Sequence, residues 1–258
     1  MRRRQFLALF ALGVIGVLSL LPAAIPAMAR MPLPAGAPPR AVIVLLSLLQ
    51  PTVLLAIAVA VGLRFASRLG LRSHIVEAAG TGAPVWPVLR RDAPLAIGVG
   101  AAAMVVVVLL DIAFRPLMGD AWRRLEQTQT ALTDPVTALI MGLLYGGITE
   151  EILLRWGMLS LFAWLGWRFG GRKSDGTPSQ PVVWTAIVAS ALLFGVGHLP
   201  AVSAMVPLTQ VIVVRTILLN ALAGVAFGWL FTRRSLEAAM IAHAAGHVVL
   251  LVVRLVAR

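Results

Sequence analysis

The chain contains seven apolar runs, and each is long enough to cross a membrane as a helix. We place these spans near residues 6–28, 41–63, 94–114, 135–163, 182–199, 205–231 and 236–256. A helix needs about 20 apolar residues to cross about 30 Å of hydrocarbon. Lipid offers no partners for backbone N–H and C=O groups, so such segments fold as helices. The sequence therefore predicts an all-α fold, a polytopic transmembrane helix bundle with about seven spans (six to eight).

The composition supports this fold class. Of 258 residues, 60% are hydrophobic and 12% are charged, and the mean hydropathy is +0.94. Soluble domains carry about 25% charged residues. There is no cysteine, which excludes both a disulfide framework and a cysteine nucleophile.

The basic residues predict the orientation of the chain. The net charge is +12, but most of the basic residues lie between spans, which favours lipid headgroups over nucleic acid as their partners. Thirteen lie on the side of the N-terminus: Arg2, Arg3, Arg4, Arg64, Arg68, Arg72, Arg90, Arg91, Arg168, Arg172, Lys173, Arg233 and Arg234. Seven lie on the other side: Arg30, Arg40, Arg115, Arg123, Arg124, Arg254 and Arg258. We therefore expect a cytoplasmic N-terminus and an external C-terminus.

The first span has some features of a targeting signal. Arginines at positions 2–4, an apolar run and Ala-Met-Ala at 27–29 resemble a cleavable signal peptide, and residues 3–7 faintly resemble a twin-arginine signal. The apolar run is long for a signal, and six spans follow. We expect a retained first helix.

Three charged side chains lie inside the fourth span, where an ionisable residue marks a candidate functional site. Glu151 and Arg155 are spaced i,i+4 and can form an ion pair on one helix face. Neighbouring residues differ by about 100° around a helix, so we expect Glu150 and Glu151 to face different partners. Glu150 would then be free to move protons. The alternative is that both glutamates only hold the bundle together.

Histidines recur in two later spans. His198 alone on an apolar helix is compatible with a packing role. His243 and His247 are spaced i,i+4, so both rings project from one helix face, a spacing also used by zinc ligands. A zincin motif needs glutamate at position 244, which is Ala244 here. A carboxylate that activates water must come from another helix, and Glu150 can supply it.

Together these motifs resemble the CPBP intramembrane proteases, which include type II CAAX prenyl endopeptidases and Abi-like bacteriocin-immunity proteins. The family pattern is Glu-Glu-x-x-x-Arg, Phe-x-x-x-His and His-x-x-x-Asn in successive late helices. The matching residues are Glu150, Glu151 and Arg155, then Phe194 and His198, then His243 and His247. His247 stands where the family usually has asparagine.

The resemblance implies hydrolysis of a peptide bond within the membrane. Glu150, with His198, would activate water, while His243 and His247 would stabilise the oxyanion. Glu151 and Arg155 would be supporting residues that hold the structure or orient substrate. We expect no cofactor. The alternative is a zinc ion held by His198, His243, His247 and Glu150.

Residues 1–134 are expected to hold the N-terminal helices and a basic cytoplasmic loop, and residues 135–258 the catalytic helix core, all in one structural domain. The basic segment 64–91 is compatible with a short surface helix. The expected partners are the lipid bilayer and a peptide or membrane-protein substrate, in a bacterial inner membrane. Asp111 is expected at the interface, and Arg215 is expected to snorkel towards it or to mark a helix start inside the sixth span.

Two other functions stay open at this point. A proton-coupled transporter also places Glu, His and Arg inside the membrane, although no internal repeat is visible. The other is a non-catalytic, immunity-like protein that binds a membrane partner.

Overall fold

The computed structural model describes residues 2–170 and 176–256, except for the side chains of residues 130–132. The helices before the fourth span are α1 (Arg2–Leu18), α2 (Leu21–Arg30), α3 (Arg40–Phe65), α4 (His74–Thr81), α5 (Trp86–Met118) and α6 (Asp120–Leu132). A 3₁₀ turn, Ala66–Leu69, extends α3. The fourth span contains α7 (Pro135–Met141), two π-helical segments (Gly142–Glu150 and Ile152–Leu159) and α8 (Ser160–Arg168). The last helices are α9 (Gln180–Gly197), α10 (Leu199–Ser203), α11 (Gln210–Arg233) and α12 (Leu236–Val256).

Seven helical stretches of the described chain are long and apolar enough to cross a membrane, so the predicted helix bundle is confirmed. The third begins at Trp86 rather than near residue 94. Its first turns contain charged residues, so a search for apolar runs does not detect them. Asp92 in those turns is buried and lies 3.6 Å from Arg234 at the end of α11. Three of the basic residues used to predict the orientation, Arg172, Lys173 and Arg258, lie outside the described residues.

The basic segment between the second and third spans does contain a short helix, α4. The Ser73 side chain accepts a hydrogen bond from Val76 N–H and so caps the helix. Buried Glu237 of α12 also accepts hydrogen bonds from Ser73 Oγ (2.6 Å) and from the backbone N–H groups of His74 and Ile75. The segment is therefore tied to the start of α12 rather than lying loose at the surface.

The spans pack through small residues. α5 runs along α11 and α12, and α9 runs along α11. A Cβ added to Gly100 would overlap the backbone carbonyl of Ala242, and one added to Gly195 would lie 2.6 Å from the Ile217 carbonyl oxygen. Only glycine permits such close helix contact at these positions. Because α5 packs along two C-terminal helices, both parts of the chain share one bundle; the boundary at residue 134 stays a prediction.

The fourth span is not a regular α-helix in its middle. Gly142–Glu150 and Ile152–Leu159 are π-helical, with Glu151 between them. π-Helical turns are rare in proteins and are frequent at functional sites. The wider turn changes the directions of Glu150 and Glu151 from those expected for a regular helix.

Candidate active site

The four predicted catalytic side chains line one cavity. Glu150, His198, His243 and His247 line a volume of about 650 Å³ between α5, α6, the fourth span, α9, α11 and α12. They come from three separate helical stretches, so only the packing of the bundle brings them together. The cavity is within the range of small-molecule and peptide-binding sites.

Glu151 and Arg155 form the predicted ion pair, beneath the cavity rather than in its wall. Both side chains are completely buried, and Arg155 Nη1 lies 3.1 Å from Glu151 Oε1. The two atoms are at contact distance without the alignment of a hydrogen bond. Arg155 Nη2 donates to the Gly224 carbonyl oxygen at 3.1 Å. The rings of Phe194 and Phe227 lie beside the guanidinium, 4.9 and 5.5 Å from it.

The expectation that the two glutamates face different partners is wrong. Both approach His243: Glu151 Oε1 is hydrogen-bonded to Nδ1 at 2.8 Å, and Glu150 Oε2 lies 3.8 Å from Nε2. One imidazole can meet both carboxylates because its two nitrogens lie on different edges of the ring, and because the fourth span is π-helical here. Glu151 thus turns the Nε2 edge of His243 towards Glu150 and the cavity.

His243 and His247 project from the same face of α12, as their spacing predicts. Their rings stack with centroids 5.1 Å apart and an interplanar angle of 15°. Gly146 of the fourth span makes room for them, since a Cβ there would lie 2.7 Å from His247 Nε2 and 3.3 Å from His243 Nε2. Phe227 stacks on the other side of His243 at 4.7 Å. The two imidazoles are therefore held in parallel planes.

His198 follows the last residue of α9, where the helix ends. Its Nδ1 donates to the Phe194 carbonyl oxygen at 2.8 Å, which leaves Nε2 as the nitrogen able to accept a proton. The Phe194 ring meets His198 edge-on at 4.6 Å and His243 edge-on at 5.8 Å. Phe194 therefore spaces the two histidines around the cavity.

One ion pair in the cavity wall was not predicted from the sequence. Arg215 Nε of α11 donates to Asp111 Oδ1 of α5 at 2.7 Å, and both residues line the cavity. The prediction that Asp111 is interfacial and that Arg215 snorkels overlooked that they could pair with each other. Opposite charges in two different spans were the available signal, but the sequence does not show that α5 and α11 are neighbours.

The zinc alternative stays a prediction, because its four residues all line the cavity but are not grouped as a ligand set. Within residues 2–170 and 176–256, no group of three or more histidine or carboxylate side chains is arranged so that it could hold a metal ion. The Nδ1 atoms of His198 and His243 bond to the Phe194 carbonyl oxygen and to Glu151, an arrangement that is also usual for a histidine that binds a metal through Nε2. We assign no step of the chemistry to a metal.

Comparison with known proteins supports the motif assignment. Residues 132–249 match the family model described as Type II CAAX prenyl endopeptidase Rce1-like. No curated protein and no solved structure matches the chain. The family implies a hydrolase that is an integral membrane protein and acts on a peptide or protein substrate. The resemblance predicted from the three motifs is thus confirmed over residues 132–249, which match the family of type II CAAX prenyl endopeptidases.

Proposed function

We propose that this protein is an intramembrane endopeptidase in which Glu150 activates the attacking water. The observation that supports this most is the shared cavity: Glu150, His198, His243 and His247 all line it. Glu150 is partly accessible there, with 16% of its side chain exposed, whereas Glu151 has none. A base must reach the water whose proton it takes, and Glu150 is the glutamate that can.

Each step of hydrolysis has a candidate residue. Glu150 removes a proton from water while the water oxygen bonds to the scissile carbonyl carbon, and His198 helps to position that water through Nε2. When the C–N bond breaks, the proton passes to the leaving amine. His247 lines the cavity, where a ring N–H can stabilise the oxyanion, because hydrogen-bond donors in a water-poor site stabilise developing charge strongly. His243 contributes a second donor through Nε2 when both of its ring nitrogens carry a proton, since Nδ1 donates to Glu151. Glu151 and Arg155 act as positioning residues that hold the His243 ring.

The mechanism proposed is independent of metal. The side chains that could bind zinc line the cavity but are not arranged as a ligand set. The glutamate and histidine roles need no metal, so Glu150 and the three histidines carry the proposal alone.

The substrate proposed is a peptide or membrane-protein segment, cut by a protein of a bacterial inner membrane whose N-terminus is cytoplasmic. Prenylated CAAX tails are substrates of eukaryotic relatives and are the first probes to use. The orientation rests on the basic residues, 13 on one side of the spans and seven on the other.

The test is proteolysis by the purified protein in detergent against fluorogenic peptides, prenylated tails included. We expect cleavage by the wild type, none by Glu150→Gln or His198→Ala, and no effect of a zinc chelator. Glu77→Gln is the matched control, because it makes the same chemical change on α4, outside the spans. Loss of cleavage with chelator that zinc restores would contradict the metal-free mechanism.

The two other functions make different predictions. A proton-coupled transporter or a non-catalytic binding protein would cleave no peptide. If Glu150→Gln and His198→Ala both kept full activity in the cell, a catalytic role for these residues would be refuted.

A further inference from the structure

The cavity lies towards one face of the bundle. Odd-numbered spans run from the membrane face that carries the N-terminus, which we call the near face, to the opposite face, which we call the far face. It is the side where α5 and α12 end and where α11 begins. Wall residues on α5 and α12 come from Met104 and His243 onwards, towards the far ends of these helices. The wall residues of the fourth span come from its first half, which starts at the far face.

Polar and exposed groups line the cavity at its far end. Arg115 and Arg254, at the ends of α5 and α12, are exposed wall residues. Trp122 of α6 lies in the wall beneath Arg115, with the guanidinium 4.3 Å from its ring. The Asp111–Arg215 ion pair lies on the same side. Charged groups in the wall suit water and a polypeptide backbone rather than lipid tails.

The other end of the cavity is blocked by packed side chains. Below Glu150 lie the fully buried Glu151 and Arg155, followed by Trp156 and Leu159 of the same span, which are 3% and 0% exposed. Phe231 of α11, 1% exposed, packs edge-on against Trp156. Interiors of this density leave no path for a peptide.

We infer that substrate reaches Glu150 from the far face only. With the N-terminus cytoplasmic, the far face lies outside the cytoplasm. The substrates are then polypeptide segments presented on the extracytoplasmic side of the membrane. The identity of these segments as substrates rests on the proposed protease function; the one-sided opening does not.

Cysteine labelling tests the opening without any need for activity. The chain has no cysteine, so each single substitution gives one reactive thiol. Asn220→Cys and Ala138→Cys place it in the cavity wall. Ala35→Cys, between α2 and α3, reports the far face, and Ser67→Cys, in the turn after α3, reports the near face. Sealed right-side-out and inside-out vesicles are treated with a membrane-impermeant maleimide.

We expect both cavity variants to be labelled in the same vesicles as Ala35→Cys and not in those that label Ser67→Cys. Labelling from the near face, from both faces or from neither would overturn the inference. Two cavity positions are used so that a folding defect in one variant leaves the other to decide. If Ala35→Cys is labelled from the cytoplasmic side, the extracytoplasmic substrate class is wrong.

A peptide assay in the same vesicles separates this inference from the proposed function. An impermeant fluorogenic peptide should be cut only where the far face is outward. Far-face labelling together with no cleavage in vesicles or in detergent would refute the protease and leave the one-sided opening intact.

Discussion

The substitution Glu151→Gln should lower the stability of the folded protein, whereas the same substitution at the neighbouring Glu150 should not. Glu151 Oε1 lies 3.1 Å from Arg155 Nη1 and 2.8 Å from His243 Nδ1, and none of the three side chains is more than 5% exposed. The substitution removes the negative charge in contact with Arg155 and leaves the buried guanidinium with only the more distant Glu150 carboxylate. The remaining contact of Arg155 with Gly224 O is present before and after the change, so it offsets nothing.

The expected cost follows from complete burial. Removing one partner of a buried ion pair costs about 3–5 kcal/mol, and no discount for solvent applies at 0% exposure. At 2–4 °C per kcal/mol for a chain of this size, Tm should fall by roughly 6–20 °C. Arg155→Met in addition should recover part of the loss, since an apolar side chain of similar volume leaves no unpaired charge.

Thermal unfolding in detergent, followed by circular dichroism, measures this difference. Glu150→Gln is the matched control: the same change at the neighbouring residue, whose carboxylate lies 3.8 Å from His243 Nε2, beyond hydrogen-bond distance. It should keep the wild-type Tm while losing cleavage. If Glu151→Gln unfolds at the wild-type temperature, the buried pair does not stabilise the bundle and the reasoning fails.

Three further predictions concern the histidines and the connection of α4. His247→Asn should keep cleavage, because asparagine is a neutral hydrogen-bond donor, while His247→Ala should lower kcat by a factor of about 10²–10³. Steady-state kinetics measure the difference, and an equal loss of kcat in both variants would contradict a donor role. Gly146→Ala should lower kcat, because its Cβ would lie 2.7 Å from His247 Nε2, whereas Gly98→Ala, with no neighbour within 4 Å, should not. Glu237→Gln should lower the unfolding free energy by about 1–3 kcal/mol, because it weakens one buried and two partly buried hydrogen bonds to the start of α4. An unchanged Tm would refute this.

Much of the architecture could be predicted from the sequence, because it depends on local properties. An apolar run of sufficient length must form a helix in lipid, so the seven spans follow from composition alone. Helical periodicity likewise predicts that His243 and His247 share a face and that Glu151 and Arg155 can pair. The order of the motifs along the chain was enough to identify the family resemblance over about residues 135–250, and the family model matches residues 132–249.

The tertiary structure alone decided which of these helices are neighbours, because lipid-facing and helix-facing apolar residues look alike in a sequence. The pairing of Asp111 with Arg215 and the binding of Glu237 to α4 both join segments more than 100 residues apart. Glu150 and Glu151, which are adjacent in a π-helical part of the fourth span, both approach one histidine because α12 packs there with its ring between them. The position of the cavity near one end of the bundle also depends on how the six helical stretches around it pack, since no single segment encloses it.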